Sequence, residues 1–452
     1  MKSKFAVLVS LIAIAAATPA TAQDLHACID EACTIESILP QDAASGTPAA
    51  DAAAATRYGR WGFDLAGMDK SVKPGNDWFD YVNGSWVKTT QIPADRSSYG
   101  AFAVLRDLSE ARMRTLVEGY KPGDAANPDR AKVATLYQGF MDEAAIERAD
   151  AAPLLQRLAP VKAATTKDDV AVLMGKSMGG FGASFFGPGV NDDAKQPDVY
   201  ALYLRQSGLG LGDRDLYLDP KFAPQVVRYQ AYVAQMLGMA NWPNAQAAAA
   251  KIVALETRIA QAHWTRAQSR DRDKTYNPMT LAQLQAQAPG FPWAKFWTAA
   301  GIDKANRAIV AQNTAFPKIA EVFATTDLDT LKAWQAFRTA DDIAPLLSKR
   351  FVDANFDFRS KFLNGQPQQR DRWKRGIGVT ERALGEAIGR DYVALYFPPA
   401  LEDQDGRTRR KPADRAARAD RRPALDGRRD QAGGAGQARQ FQREGRLSRQ
   451  MA

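Results

Sequence analysis

Hydrophobic side chains recur at three- and four-residue steps through most of the stretch from Tyr58 to Pro399, the spacing that gathers apolar groups on one face of an α-helix. In LRDLSEARMRTLVEGY the stripe is Leu105, Leu108, Met113, Leu116 and Val117, with Gly119 as a stop. AAAAKIVALETRIAQAHWTR aligns Ile252, Leu255 and Ile259. TTDLDTLKAWQAFRTADDIAPLL aligns Leu328, Leu331, Trp334 and Phe337 behind a predicted Thr326/Asp329 cap pair, and TLAQLQ repeats that capping pattern with Thr280 and Gln283. Two short pieces read as strands, GASFFG around Phe185 and VYALYLRQ at 199–206, each near glycine-rich turns. No internal repeat is visible. The pattern predicts a mainly α body with a small β element.

Both ends break this pattern. MKSKFAVLVSLIAIAAATPATAQ opens with Lys2 and Lys4, runs apolar from Phe5 to Ala17, and ends in Ala20-Thr21-Ala22. These are the three parts of a secretory signal peptide, predicted over residues 1–22. The apolar run is too short to span about 30 Å of hydrocarbon, so a membrane anchor is disfavoured and a periplasmic or secreted location is expected. Residues 23–57 are rich in Ala, Asp, Thr and Pro and read as a flexible leader. They hold the only cysteines, Cys28 and Cys33. In an oxidising compartment these are a possible disulfide; two free thiols remain the alternative.

Charge separates the tail from the body. The chain carries a formal charge of +9, yet residues 401–452 alone hold 13 Arg and one Lys against eight acidic residues. The body is nearly neutral, so the basic balance says little about its partners. A basic arm for nucleic acid or anionic membrane would fit the tail's charge. Phe441 is its only aromatic, and the signal peptide argues against chromosomal DNA, so no nucleic acid is expected as a partner.

Candidate chemistry is defined mainly by inventory. There is no phosphate-binding glycine loop and no nucleophile elbow. The only histidines are His26 and His263, whereas a helical H-E-x-x-H zinc site needs two imidazoles four residues apart. No catalytic residue, no metal ligand and no cofactor site is therefore assigned in this chain. His263 follows Ile259 by four and reads as a hydrogen-bonded packing residue. The run Arg266, Arg270, Asp271, Arg272, Asp273, Lys274 reads as a mixed-sign surface network rather than a binding patch. Trp78, Phe79, Tyr81 and Trp86 in DWFDYVNGSWV read as a core-anchoring turn, with a ligand-stacking platform as the alternative.

Four stretches resemble the N-terminal half of the neprilysin-like zinc metallopeptidases, the family of bacterial oligopeptidase O. They are GFDLAGMDKSVKPGNDWFDYVNGSWVKTTQIPADRSSYGAFAVLRDLSE, GLGLGDRDLYLD, LETRIAQAHWTRAQSRDRDKTYNPMTLAQLQA and RWKRGIGVTERALGEAIGRDYVALYFPPA. The resemblance covers residues 58–400. It implies the large helical lobe of a two-lobed enzyme whose chamber admits short peptides, and zinc held by an H-E-x-x-H helix and a downstream Glu in the other half. None of those zinc positions exists in this chain. Some relatives place an Arg directly before the Tyr-Gly of the first stretch, suited to a peptide's free carboxylate. Ser98 occupies that slot here, and Arg96, two residues earlier, is the weak substrate-binding candidate.

The resemblance also explains the tail. Read one nucleotide out of register with permitted synonymous codons, QFQREGRLSRQM (440–451) becomes NFNVKVGYPDKW, and members of the family continue past YFPPA with a helix and then a segment ending near GYPDKW. Residues 401–452 are therefore expected to be a disordered, out-of-frame product. The functional expectation is a zinc metalloendopeptidase for short peptides, truncated before its zinc site and inactive alone. A non-catalytic peptide-binding module, or half of an enzyme completed by a separate C-terminal fragment, are the alternatives.

Overall fold

The computed structural model describes residues 64–396. The signal-peptide, leader, disulfide and tail expectations lie outside the described residues. No helix among the described residues is long and apolar enough to cross a membrane. The chain divides into two compact units, one containing residues 64–91 and 99–111 and the other residues 92–98 and 112–396 of the described range.

In the first unit, α1 (Trp78–Thr89) is capped by Asp77, whose side chain accepts from the Asp80 N–H. Asp69 braces the helix from outside. Its carboxylate accepts from Lys88 Nζ at 2.5 Å and Ser71 Oγ at 2.5 Å, and the Lys88 bond with Ser71 holds its pKa down at about 2. Of the α1 residues only Gly84 is buried. The aromatic anchor expected here forms only in part: Tyr81 and Trp86 are half-buried, while Trp78 and Phe79 face solvent. Trp78 is 66% exposed and Phe79 61%. The helix α2 (Ala101–Gly119) follows, its residues 101–111 in this unit and 112–119 in the second, ending at the predicted glycine.

In the second unit, α3 (Pro128–Met141) precedes α4 (Lys167–Lys176), which opens with a Thr166/Asp169 capping box. Then come a sheet and the core helices α5 (Ala223–Met239), α6 (Ala245–Ala262), α7 (Phe316–Thr325) and α8 (Leu328–Ile343). Last is α9 (Arg372–Tyr396). The alanine run that starts α6 has the highest intrinsic helix propensity, and its predicted stripe of Ile252, Leu255 and Ile259 is buried. The α8 stripe behaves likewise: Leu331, Trp334 and Phe337 have no exposed surface. Its cap differs from expectation. Asp327, not Thr326, accepts from the Thr330 N–H, while Thr326 closes α7 by donating its hydroxyl to the Val322 carbonyl.

The sheet has four strands in the order β1-β2-β4-β3. The strands β1 (Phe186–Asp193) and β2 (Gln196–Gln206) overlap the two predicted pieces and pair as an antiparallel hairpin, with Phe186 opposite Gln206 and a register shift at Asp193. At that bend Asp193 is fully buried. It accepts from Tyr276 Oη at 2.8 Å and Arg307 Nη2 at 2.7 Å. Two strands escaped the pattern: β3 (Pro278–Met279), antiparallel to β4, and β4 (Ala308–Val310), parallel to β2. Beside the sheet lies an aromatic core in which Phe186 contacts Trp293, Phe291 and Phe316 at ring separations of 4.4 to 4.9 Å.

Candidate functional site

Two of the stretches quoted above converge on one buried carboxylate. Glu256, on α6, has no exposed surface. Its Oε1 accepts from Trp334 Nε1 on α8 at 2.8 Å. Its Oε2 accepts from Tyr217 at 2.5 Å and Tyr229 at 2.9 Å. Tyr217 belongs to GLGLGDRDLYLD, and its oxygen also accepts the Leu211 N–H at 2.9 Å. Burial, then the adjacent Glu256 charge, pushes both tyrosine pKa values well above their ordinary value, so both remain donors. Gly210 lies against this hub: a Cβ there would stand 1.7 Å from the Tyr229 oxygen, so no side chain fits.

A second carboxylate, Asp341, continues the network. It accepts from Tyr232 at 2.7 Å and is paired with Arg359, whose Nη1 donates to the Gly210 carbonyl at 2.5 Å. Arg359 is aimed by a π-helical turn, Phe356–Phe362, where widened geometry re-aims side chains. The residues Glu256, Asp341 and Arg359 were not singled out in the sequence. The one available signal was an acidic residue on the apolar stripe of α6, between Leu255 and Ile259.

His263 ends α6 as expected of a packing residue. Its Nε2 lies 3.1 Å from the Ser207 carbonyl oxygen. A carbonyl only accepts, so Nε2 carries the proton and donates. Burial, reinforced by Arg214, pulls the imidazole pKa down to about 4. The charged run after it is a surface network, with Arg266 paired to Asp213 and Lys274 to Asp271.

Arg96 lies on a strap, residues 92–98, fastened to the start of α9. The Gln368 N–H donates to the Ala94 carbonyl at 2.9 Å, and Lys374 Nζ to Asp95 at 3.0 Å. The Arg96 side chain is 12% exposed, with Nε 3.5 Å from Asp95. Arg372 and Arg375 both lie beside Phe140. Burial and the Arg372 charge pull the Arg375 pKa down. Acids accompany these cations: Lys374 pairs with Asp95 and Asp371, and Arg372 with Glu143.

Residues 74–406 match the profile of the N-terminal region of peptidase family M13. The chain belongs to peptidase family M13. This M13 chain is 26% identical over 347 residues to endothelin-converting enzyme 1 of Rattus norvegicus, covering 74% of this chain and 45% of that protein. It is 26% identical to neprilysin of Mus musculus, covering 74% and 48%. A zinc metalloprotease of Mycobacterium tuberculosis, solved in complex with an inhibitor, is 34% identical with a TM-score of 0.71, covering 79% of this chain and 55% of that one. PepO from Lactobacillus rhamnosis shares the fold at 19% identity and a TM-score of 0.64. The chain thus spans about half the length of the curated relatives it matches.

Zinc is the metal this family implies, and the side chains among the described residues do not fit it. Among the described residues, no group of three or more His, Cys, Asp or Glu gathers to hold a metal ion. His263 is the sole imidazole among them, and its Nε2 is committed to Ser207.

Proposed function

We propose that this M13 chain is the helical, peptide-admitting lobe of a periplasmic or secreted zinc metallopeptidase, and that alone it neither holds catalytic zinc nor cuts peptides. One observation carries the reading. An H-E-x-x-H centre requires two neighbouring imidazoles, while this chain has His26 and His263 far apart, and His263 donates to a backbone carbonyl. Family membership and the resemblance to a zinc metalloprotease support the peptide-binding half of the proposal. The N-terminal pattern at residues 1–22 supports export. Short peptides are the proposed partners, and Arg96 is the proposed contact for a free carboxylate.

The match to about half the length of longer relatives favours one further element: hydrolysis requires a zinc-bearing half in the same assembly. The composition of residues 401–452 supports an out-of-frame origin, which sequencing the gene tests directly.

The test of binding is calorimetry with peptides of five to ten residues, followed by mass spectrometry of the same samples. Saturable heat with intact peptide is expected. Cleaved peptide that disappears with a chelator contradicts the proposal, and so does the absence of any binding.

A further inference from the structure

We propose that α9 is a two-part lever hinged at Leu384, whose distal arm, Gly385–Tyr396, is latched onto α3 by Asp391 and swings away when the latch opens. Leu384 leaves the helical region at φ −137° and ψ 28°, and no proline lies in the helix to cause it. A sharp break without proline needs another local reason.

The glycines supply it. Gly376 is required by packing, because a Cβ there would meet Tyr137 at 3.0 Å and Phe140 at 3.1 Å. Gly378 and Gly389 have nothing within 4 Å of a Cβ, and Gly385 meets only the flexible Glu381 side chain at 3.7 Å. None of the three takes a positive φ. Neither packing nor turn geometry in this arrangement calls for them, and each weakens a helix. Placed on both sides of Leu384, they make the backbone compliant there.

The two halves are also held differently. The proximal half presses Gly376, Ile377 and Thr380 into the interior, and Arg372 donates to the Phe140 carbonyl. The distal arm buries only Ile388. Ala387, Tyr392 and Tyr396 pack half-buried against the same apolar seam as Ile388, and polar contacts near solvent complete the hold. Asp391 takes two Arg130 N–H bonds, each 2.8 Å, and the Tyr120 hydroxyl at 2.5 Å, while Arg390 pairs with Asp129. Arg112 lies over the Tyr396 ring at 4.7 Å. The Arg130 side chain is 46% exposed, so water competes for its two hydrogen bonds to Asp391. Swinging the arm would uncover the seam of Leu116, Val117 and Ile388.

The test is pulsed electron paramagnetic resonance on the full chain, with Cys28 and Cys33 replaced by Ser and spin labels at Gln138→Cys on α3 and Val393→Cys on the arm. Two distance populations are expected in the parent. Asp391→Asn should raise the longer one roughly threefold or more, and Gly385→Ala with Gly389→Ala should suppress it. Arg130→Gln opens the same latch from the other side and must reproduce Asp391→Asn, with unchanged far-ultraviolet circular dichroism. A single narrow distance, identical in the parent and in all these variants, would overturn the hinge.

Discussion

Tyr229 donates its hydroxyl to Glu256 across 2.9 Å, and both side chains are fully buried. Tyr217 and Trp334 complete the shell. Removing the carboxylate strands three buried donors, each of which then loses a partner without regaining water. Glu256→Ala is expected to lower unfolding free energy by about 3–5 kcal/mol, measured by urea denaturation. A loss under about 1 kcal/mol would mean the network contributes little.

Gly210 and Gly389 make opposite predictions from the same substitution. At Gly210 a methyl group would overlap the Tyr229 oxygen, so Gly210→Ala should cost about 3 kcal/mol or more, or prevent folding. At Gly389 the space is open, so Gly389→Ala should raise stability by up to about 1 kcal/mol. Thermal melts of both variants decide the matter, and equal effects would contradict the packing described.

His263 sets a pH dependence. Its folded pKa is about 4 against an ordinary 6.5, so the unfolded chain takes up the proton first as pH falls. The stability tied to neutral His263 is complete above about pH 6.5, drains between there and pH 4, and is gone below. The full effect is on the order of 3 kcal/mol. The difference in stability between the parent and His263→Gln should therefore shrink as pH falls from 7 to 4. A difference independent of pH would show that the imidazole does not titrate this way.

Arg96 is testable by ligand chemistry. If it takes a peptide's free carboxylate, Arg96→Gln should weaken binding of an unmodified peptide about tenfold, close to the loss of one charge-assisted hydrogen bond, and leave its C-terminal amide unaffected. Equal losses for both peptides would assign Arg96 to fastening the strap instead.

Local periodicity carried much of this fold. The stripes on α6 and α8, the Thr280/Gln283 box and the strand at 199–206 follow from spacing and propensity, and all four are present. What it did not carry depends on partners distant in sequence. Ala308–Val310 is three residues long and is a strand because Leu202–Leu204 lies beside it. Trp78 and Phe79 are large and apolar, which suggested burial, yet nothing in sequence says which face of an amphipathic helix finds a partner. The site was legible only through its absences. Two separated histidines exclude a paired imidazole site from the inventory alone, whereas Glu256 and Asp341 became visible only once α5, α6 and α8 were brought together.

The most direct test of the account is the metal content of the purified chain, determined by inductively coupled plasma mass spectrometry after incubation with zinc and dialysis, with peptide cleavage measured on the same sample. Well under 0.1 zinc per polypeptide and no chelator-sensitive cleavage are expected (about the level of adventitious binding). One zinc per chain with cleavage abolished by a chelator would contradict it.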